Sequence, residues 1–139
     1  MIAHRPAWLS NLVDTISAWD GVTLAAHRYG GIEFNLDRVE IGHVHRHGMV
    51  DILYSKAIRE QLVQEGKAAL HHLLPDTGWI SYFIRETNDL EGALWLLRLA
   101  YVWKHHKAQR HYPKRQPLDL MAELHQLQVS DDIKRLMAD

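Results

Sequence analysis

Apolar residues recur every third or fourth position over Leu9, Leu12, Val13, Ile16 and Trp19, the spacing of one helical face. Pro6 suits the first turn of that helix and Asp20-Gly21 ends it, so a helix is predicted over 6–19. The period then drops to two. Val22 to Tyr29 reads as a strand, Gly30-Gly31 as a tight turn, and Ile32-Glu33-Phe34-Asn35-Leu36 as a half-buried strand. After Asp37-Arg38, a third strand is predicted from Val39 to His45. Strict alternation puts Val39, Ile41, His43 and His45 on one face and Glu40, Gly42 and Val44 on the other.

Helical spacing returns from Ser55 to Glu65. Ser55 is a cap, Ile58, Leu62 and Val63 form the stripe, and Gly66 stands at the C′ position. Ala69 to Leu73 and Trp79 to Arg85 read as two further strands, joined through Pro75-Asp76-Thr77-Gly78. Thr87 or Asn88 caps a third helix running to about Lys107, with Asn88 and Glu91 at capping-box spacing. Residues 108–117 form a basic, Pro-containing linker. A C-terminal helical segment over 118–139 carries Leu120, Leu124 and Leu127, and Ser130-Asp131-Asp132 restarts it around Ile133, Leu136 and Met137.

Short turns between successive strands favour antiparallel pairing. The predicted class is therefore α+β: an antiparallel sheet of about five strands packed against helices, with a C-terminal helical extension. Residues 1–107 form the α+β unit. The length of 139 residues and 47% apolar composition fit one soluble domain with a sizeable core.

A net charge of −1 argues against a general nucleic-acid binder, and the basic stretch from Lys104 to Arg115 lacks an aromatic platform, so it reads as solvated linker. The longest apolar-rich stretch, Leu90 to Trp103, is broken by Glu91, Gly92 and Arg98 and is too short for a bilayer span. No secretory leader is recognisable, and a cytoplasmic protein is the expectation. With no cysteine, disulfides, thiolate catalysis and Cys-based metal sites are excluded.

Chemistry concentrates in the eleven histidines. His43, His45 and His47 occupy alternate positions, and His71-His72 follow shortly before Trp79. Two imidazoles on one strand face, with a third from a neighbour, are a way to hold a metal. His43, His45 and His72 are the candidate metal ligands, and a divalent metal is the candidate cofactor. His47, His71, Asp51 and Glu40 are available to complete the set. The candidate ligand-binding set is His43, His45, Asp51, His72 and Trp79. Glu40, Asp51 and Asp76 are possible carboxylate partners for acid–base work, though Asp51 and Asp76 sit beside turn signals. Ser81, His72 and Asp51 can be written as a triad, but Ser81 is mid-strand and no nucleophile elbow is present.

The stretches Gly31-x-Glu33-Phe34-x-Leu36, Glu40-Ile41-Gly42-His43-Val44-His45, Gly48-x-x-Asp51 and His72-x-x-Pro75-x-x-Gly78-Trp79-Ile80-Ser81, followed by the helix Ala93 to Tyr101, give the chain its resemblance over about residues 21–103. It resembles the small luciferase-domain family of bacteria and fungi. The resemblance implies a domain identity; it implies neither light emission nor any catalytic residue.

Two functional readings follow. One is a module binding a small molecule, or a metal, in a His- and Trp-lined pocket. The other is a non-catalytic interaction module. The third helix, with Leu94, Trp95, Leu96, Leu97, Leu99, Val102 and Trp103, has more apolar surface than one sheet face covers. The C-terminal segment is expected to cover part of it and a homodimer the rest. Crowded imidazoles depress one another's pKa, so stability is expected to fall from about pH 7 to about pH 5.

Overall fold

A computed structural model describes residues 5–71, 73–112 and 115–138, apart from the side chain of residue 29. Helix α1 spans Ala7–Ser17, with Pro6 as its N-cap residue. Strands β1 (Val22–His27), β2 (Gly31–Leu36), β3 (Val39–Val44) and β4 (Met49–Leu53) follow, then helix α2 (Lys56–Gln64). Strands β5 (Ala69–Leu70) and β6 (Trp79–Phe83) precede the long helix α3 (Asp89–Ala108). Two short helices, α4 (Leu120–Gln126) and α5 (Asp131–Ala138), end the described chain.

The strands form one antiparallel sheet in the order β1-β2-β3-β4-β6-β5. The fold is α+β, with six strands where five are expected. The additional strand is β4. Its sequence, Met49-Val50-Asp51-Ile52-Leu53, shows no apolar–polar alternation because four of its five residues are buried, on both faces. A short run of that kind carries no clear period.

One face of the sheet meets the helices. Phe34, Val44, Val50, Ile52 and Ile80 join Leu12 and Ile16 of α1, Ile58 and Leu62 of α2, and Leu96 and Leu97 of α3 in a single core. Gly42 sits under α3; a Cβ there would stand 3.2 Å from the Leu97 Cδ2 and 2.7 Å from the Asp51 carbonyl oxygen. Burial rather than a cap fixes α3. The Asn88 side chain makes no capping bond, contrary to the capping-box expectation. Instead, the Asp89 carboxylate accepts the backbone N–H groups of Arg85 and Glu86 at 2.9 and 3.0 Å, tying the helix start to the end of β6.

The C-terminal segment covers part of what the sheet leaves of α3, and α1 packs on it as well. The Trp95 indole N–H donates to the Leu127 carbonyl at 2.8 Å, and Arg98 pairs with Glu123 at 2.8 Å. Leu120 and Leu124 of α4, and Ile133 and Met137 of α5, are buried in the same core. Ser130 does restart the helix. Its hydroxyl accepts from the Ile133 N–H and donates to Glu65, next to α2.

A single irregularity decides which residues reach the second face. Phe34 pairs with Gly42 but Asn35 pairs with Glu40, leaving Ile41 as an extra residue in β3. Such a bulge switches the facing of the residues on either side of it. Ile41 therefore enters the core, fully buried, while the Glu40 carboxylate lies on the same side as His43. The regular alternation expected for this strand, with Ile41 beside His43 and Glu40 opposite, is thus corrected.

Candidate functional site

Facing residues in an antiparallel ladder share a face, so the register lines up one row across the sheet. That row is Ala25, Glu33, His43, Asp51, Ser81 and Ala69. It lies on the face away from the core and its centre is polar. His43 is 7% exposed, Asp51 1% and Ser81 2%, so these groups are buried although they are not part of the apolar core.

Asp51 is the hub. Its Oδ2 accepts from the Nε2 of His43 at 3.1 Å and from the Nε2 of His45 at 2.9 Å. Its Oδ1 accepts the Ser81 hydroxyl at 2.7 Å. On the far side of the His43 ring, Nδ1 donates to Glu40 Oε2 at 2.6 Å. The carboxylate thus stands between the serine and the imidazoles. A nucleophilic triad needs the imidazole in the middle, so the Ser81–His–Asp51 set lacks the required order.

His71 approaches from the end of β5, with Nε2 3.6 Å from Asp51 Oδ2. Its Nδ1 accepts the backbone N–H groups of Leu73 and Leu74, both at 3.1 Å. A neutral imidazole that accepts at Nδ1 carries its proton on Nε2. His71 therefore presents an N–H to Asp51. The strand expected over 69–73 ends at Leu70, because the chain leaves the ladder to wrap around this ring. His72, named among the candidate ligands, lies outside the described residues.

Trp79 packs against both rings, 5.3 Å from His43 and 6.1 Å from His71 between centroids. His47 is exposed in the β3–β4 turn. That turn requires Gly48: its φ is +105°, and a Cβ would come within 2.3 Å of the Ile84 carbonyl oxygen. The fixed turn sets His45 back over β4, where its backbone N–H donates to the Met49 carbonyl at 2.8 Å.

Two residues not singled out from the sequence also belong here. His27 stacks on His43 with 3.8 Å between ring centroids, and its Nδ1 lies 3.2 Å from Glu33 Oε1. Period-two counting along β1 and β2 places each of them on a face; only the pairing of β2 with β3 brings them to His43.

The carboxylates govern the electrostatics. Burial pushes the His43 imidazole down, but hydrogen bonds to Asp51 and Glu40, one at each ring nitrogen, outweigh it and lift its pKa to about 9. Burial pushes the Asp51 carboxyl up. Hydrogen bonds from His43, Ser81 and His45, with the electrostatic pull of the nearby His71, hold it well below the usual carboxylate range.

This reverses the acid-lability expectation, which treated the imidazoles as crowding one another without carboxylates between them. A His43 raised above its ordinary 6.5 stabilises the fold fully below about pH 6.5, and that contribution is lost as pH rises towards 9. Asp51, lowered from 3.8, loses its contribution only as pH falls below that value. In chelator-treated protein, urea unfolding should therefore show the parent's stability relative to His43→Gln declining between about pH 6.5 and 9, by roughly 3 kcal/mol at most. Lys104, lowered from 10.5 to about 7, and His105, lowered by burial, act in the opposite sense but equally in both proteins. A difference between the two proteins that stays constant over that range would contradict this assignment.

Residues 38–100 match the Luciferase domain family model. The luciferase-domain resemblance stands. The matched segment of the luciferase domain runs from the β2–β3 turn into α3 and holds Glu40, His43, His45, Asp51, His71, Trp79 and Ser81; His27 and Glu33 precede it. No curated protein and no solved structure matches the chain.

Proposed function

We propose that this protein binds a small polar ligand on the second face of its sheet through a divalent metal ion held by His43 Nε2, His45 Nε2 and one oxygen of Asp51. The observation that carries this reading is the convergence of three donor atoms within 4.8 Å of one another, backed by partners on the atoms that do not converge.

Nitrogen and oxygen ligands sit roughly 2.0–2.2 Å from such an ion and therefore about 3–3.5 Å from each other. The separations of 3.1 and 2.9 Å from Asp51 Oδ2 to the two Nε2 atoms lie close to that spacing. Glu40 holds the His43 Nδ1 proton, so that a metal displacing the proton on Nε2 would meet a lone pair there; Ser81 holds the other oxygen of Asp51. Outer partners of this kind fix the ring orientation and the tautomer of ligating groups.

Three protein ligands leave coordination positions for an exogenous molecule. The His71 N–H and the Trp79 ring border that space. An N₂O donor set without thiolate suits Zn²⁺, Mn²⁺, Fe²⁺ or Co²⁺.

Equilibrium dialysis against Zn²⁺ and Co²⁺ tests the reading. One ion per chain is expected, with a Co²⁺ ligand-field spectrum. His45→Ala and Asp51→Asn should lose the ion, and His47→Ala, altered only in the exposed turn, should keep it. Equal loss in all three, or none in Asp51→Asn, would refute the site.

A further inference from the structure

A cavity of about 490 Å³ opens at the other end of β3, away from His45. Val39 and Leu53 from the sheet line it with Trp103, Lys104 and Lys107 of α3 and with His111 just beyond that helix. Its walls are largely apolar. Val39 is 49% exposed although it is β-branched and begins a strand, and Trp103 is nearly buried.

The charged groups lining this cavity, Lys104 and Lys107, are of one sign, beside the neutral Tyr54 and Ser55. Lys104 is 8% exposed, and its Nζ donates to the Glu40 backbone carbonyl at 2.7 Å. Lysine is almost never buried without a charged partner. Lys107 lies 4.2 Å from the Trp103 ring centroid, a cation–π contact. Among the described residues, neither lysine has a carboxylate within ion-pair distance. His111 adds a third nitrogen base.

We propose that this cavity binds an amphipathic carboxylate, its head group between the Lys104 and Lys107 ammonium groups and its apolar body against Val39, Leu53 and Trp103. The volume falls within the roughly 300–1,000 Å³ typical of small-molecule sites, which are mostly apolar with a few placed polar groups. A carboxylate supplies the counter-charge that the two lysines lack, through charge-assisted hydrogen bonds, which are stronger than neutral ones. Burial, reinforced by Lys107 and opposed by Glu40, lowers the Lys104 pKa to about 7. A bound anion favours its protonated form, so the ligand and the lysine proton support each other. The tail-to-wall contacts favour an aliphatic body over a bare anion.

Titration with decanoate below its micellar concentration tests the assignment, using calorimetry and the chemical shift of the Trp103 indole N–H. One decanoate per chain is expected, with decanol and inorganic phosphate each at least about tenfold weaker. Lys104→Met should weaken decanoate by a similar factor. Lys107→Gln and Val39→Trp, at exposed positions where folding is not at stake, should do the same, the latter by filling the cavity. In chelator-treated protein, Asp51→Asn should bind decanoate as the parent does, which separates this site from the metal reading. Decanol binding as tightly as decanoate would overturn the role of the lysines, and phosphate doing so would overturn the amphipathic ligand. Undiminished affinity in Lys107→Gln and Val39→Trp would place the ligand elsewhere.

Discussion

Asp51→Ala should cost about 3–5 kcal/mol of folding stability and abolish metal binding, the largest effect expected of any single substitution on the polar face. The carboxylate accepts from His43, His45 and Ser81 and is 1% exposed. Removing it leaves His43, held otherwise by Glu40 alone, as a buried imidazolium short of a partner, and leaves the Ser81 hydroxyl without its acceptor. Losing one member of a buried network costs more than the network's net worth, because the remaining groups stay desolvated. Urea denaturation at pH 6.5 measures the loss. A cost below about 1 kcal/mol would mean that water replaces the carboxylate, and the site would then be far wetter than its burial implies.

Deleting residues 118–139 should abolish the cooperative fold. Leu120, Leu124, Val129, Ile133 and Met137, all under 9% exposed, leave the core together. At about 1.5–3 kcal/mol for each buried side chain, the loss equals the roughly 5–15 kcal/mol by which a domain of this size is stable. The truncated chain should also expose the α3 surface now covered near Trp95 and Arg98. Dye binding and near-ultraviolet circular dichroism are the measurements. A soluble truncated chain with an unchanged unfolding midpoint would show that α4 and α5 are accessories.

The sequence carries the fold wherever one face of an element is buried and the other is wet. Helices α1 and α2 and strands β2 and β6 show their period, the turns mark out β1 and β3, and the restart of α5 is visible in Ser130 and the acidic residues after it. Strand β4 is hidden because both of its faces are buried, the second by histidines and a serine instead of apolar residues. Asp51 then looks like turn chemistry, although it stands at the middle of a strand.

The pairing of His43 with His45 follows from their spacing. The positions of Glu40, His27 and Glu33 do not, because they depend on a bulge and on strand pairing, which are properties of the whole sheet. His71, rather than its neighbour His72, is placed at Asp51 by an early end to β5. No local pattern marks that end.

The bulge at Ile41 gives the histidine cluster and the cavity beside α3 a common support. Glu40 offers its carboxylate to His43 and its carbonyl oxygen to Lys104. A carboxylate that draws the Lys104 ammonium towards itself relaxes the grip on that carbonyl, and with it the aim of the side chain that sets the His43 tautomer. Were both proposed ligands to bind, occupancy of the cavity would change metal affinity by the same factor by which the metal would change carboxylate affinity, since a coupling free energy between two sites is reciprocal. One residue of one strand thus touches both proposed sites.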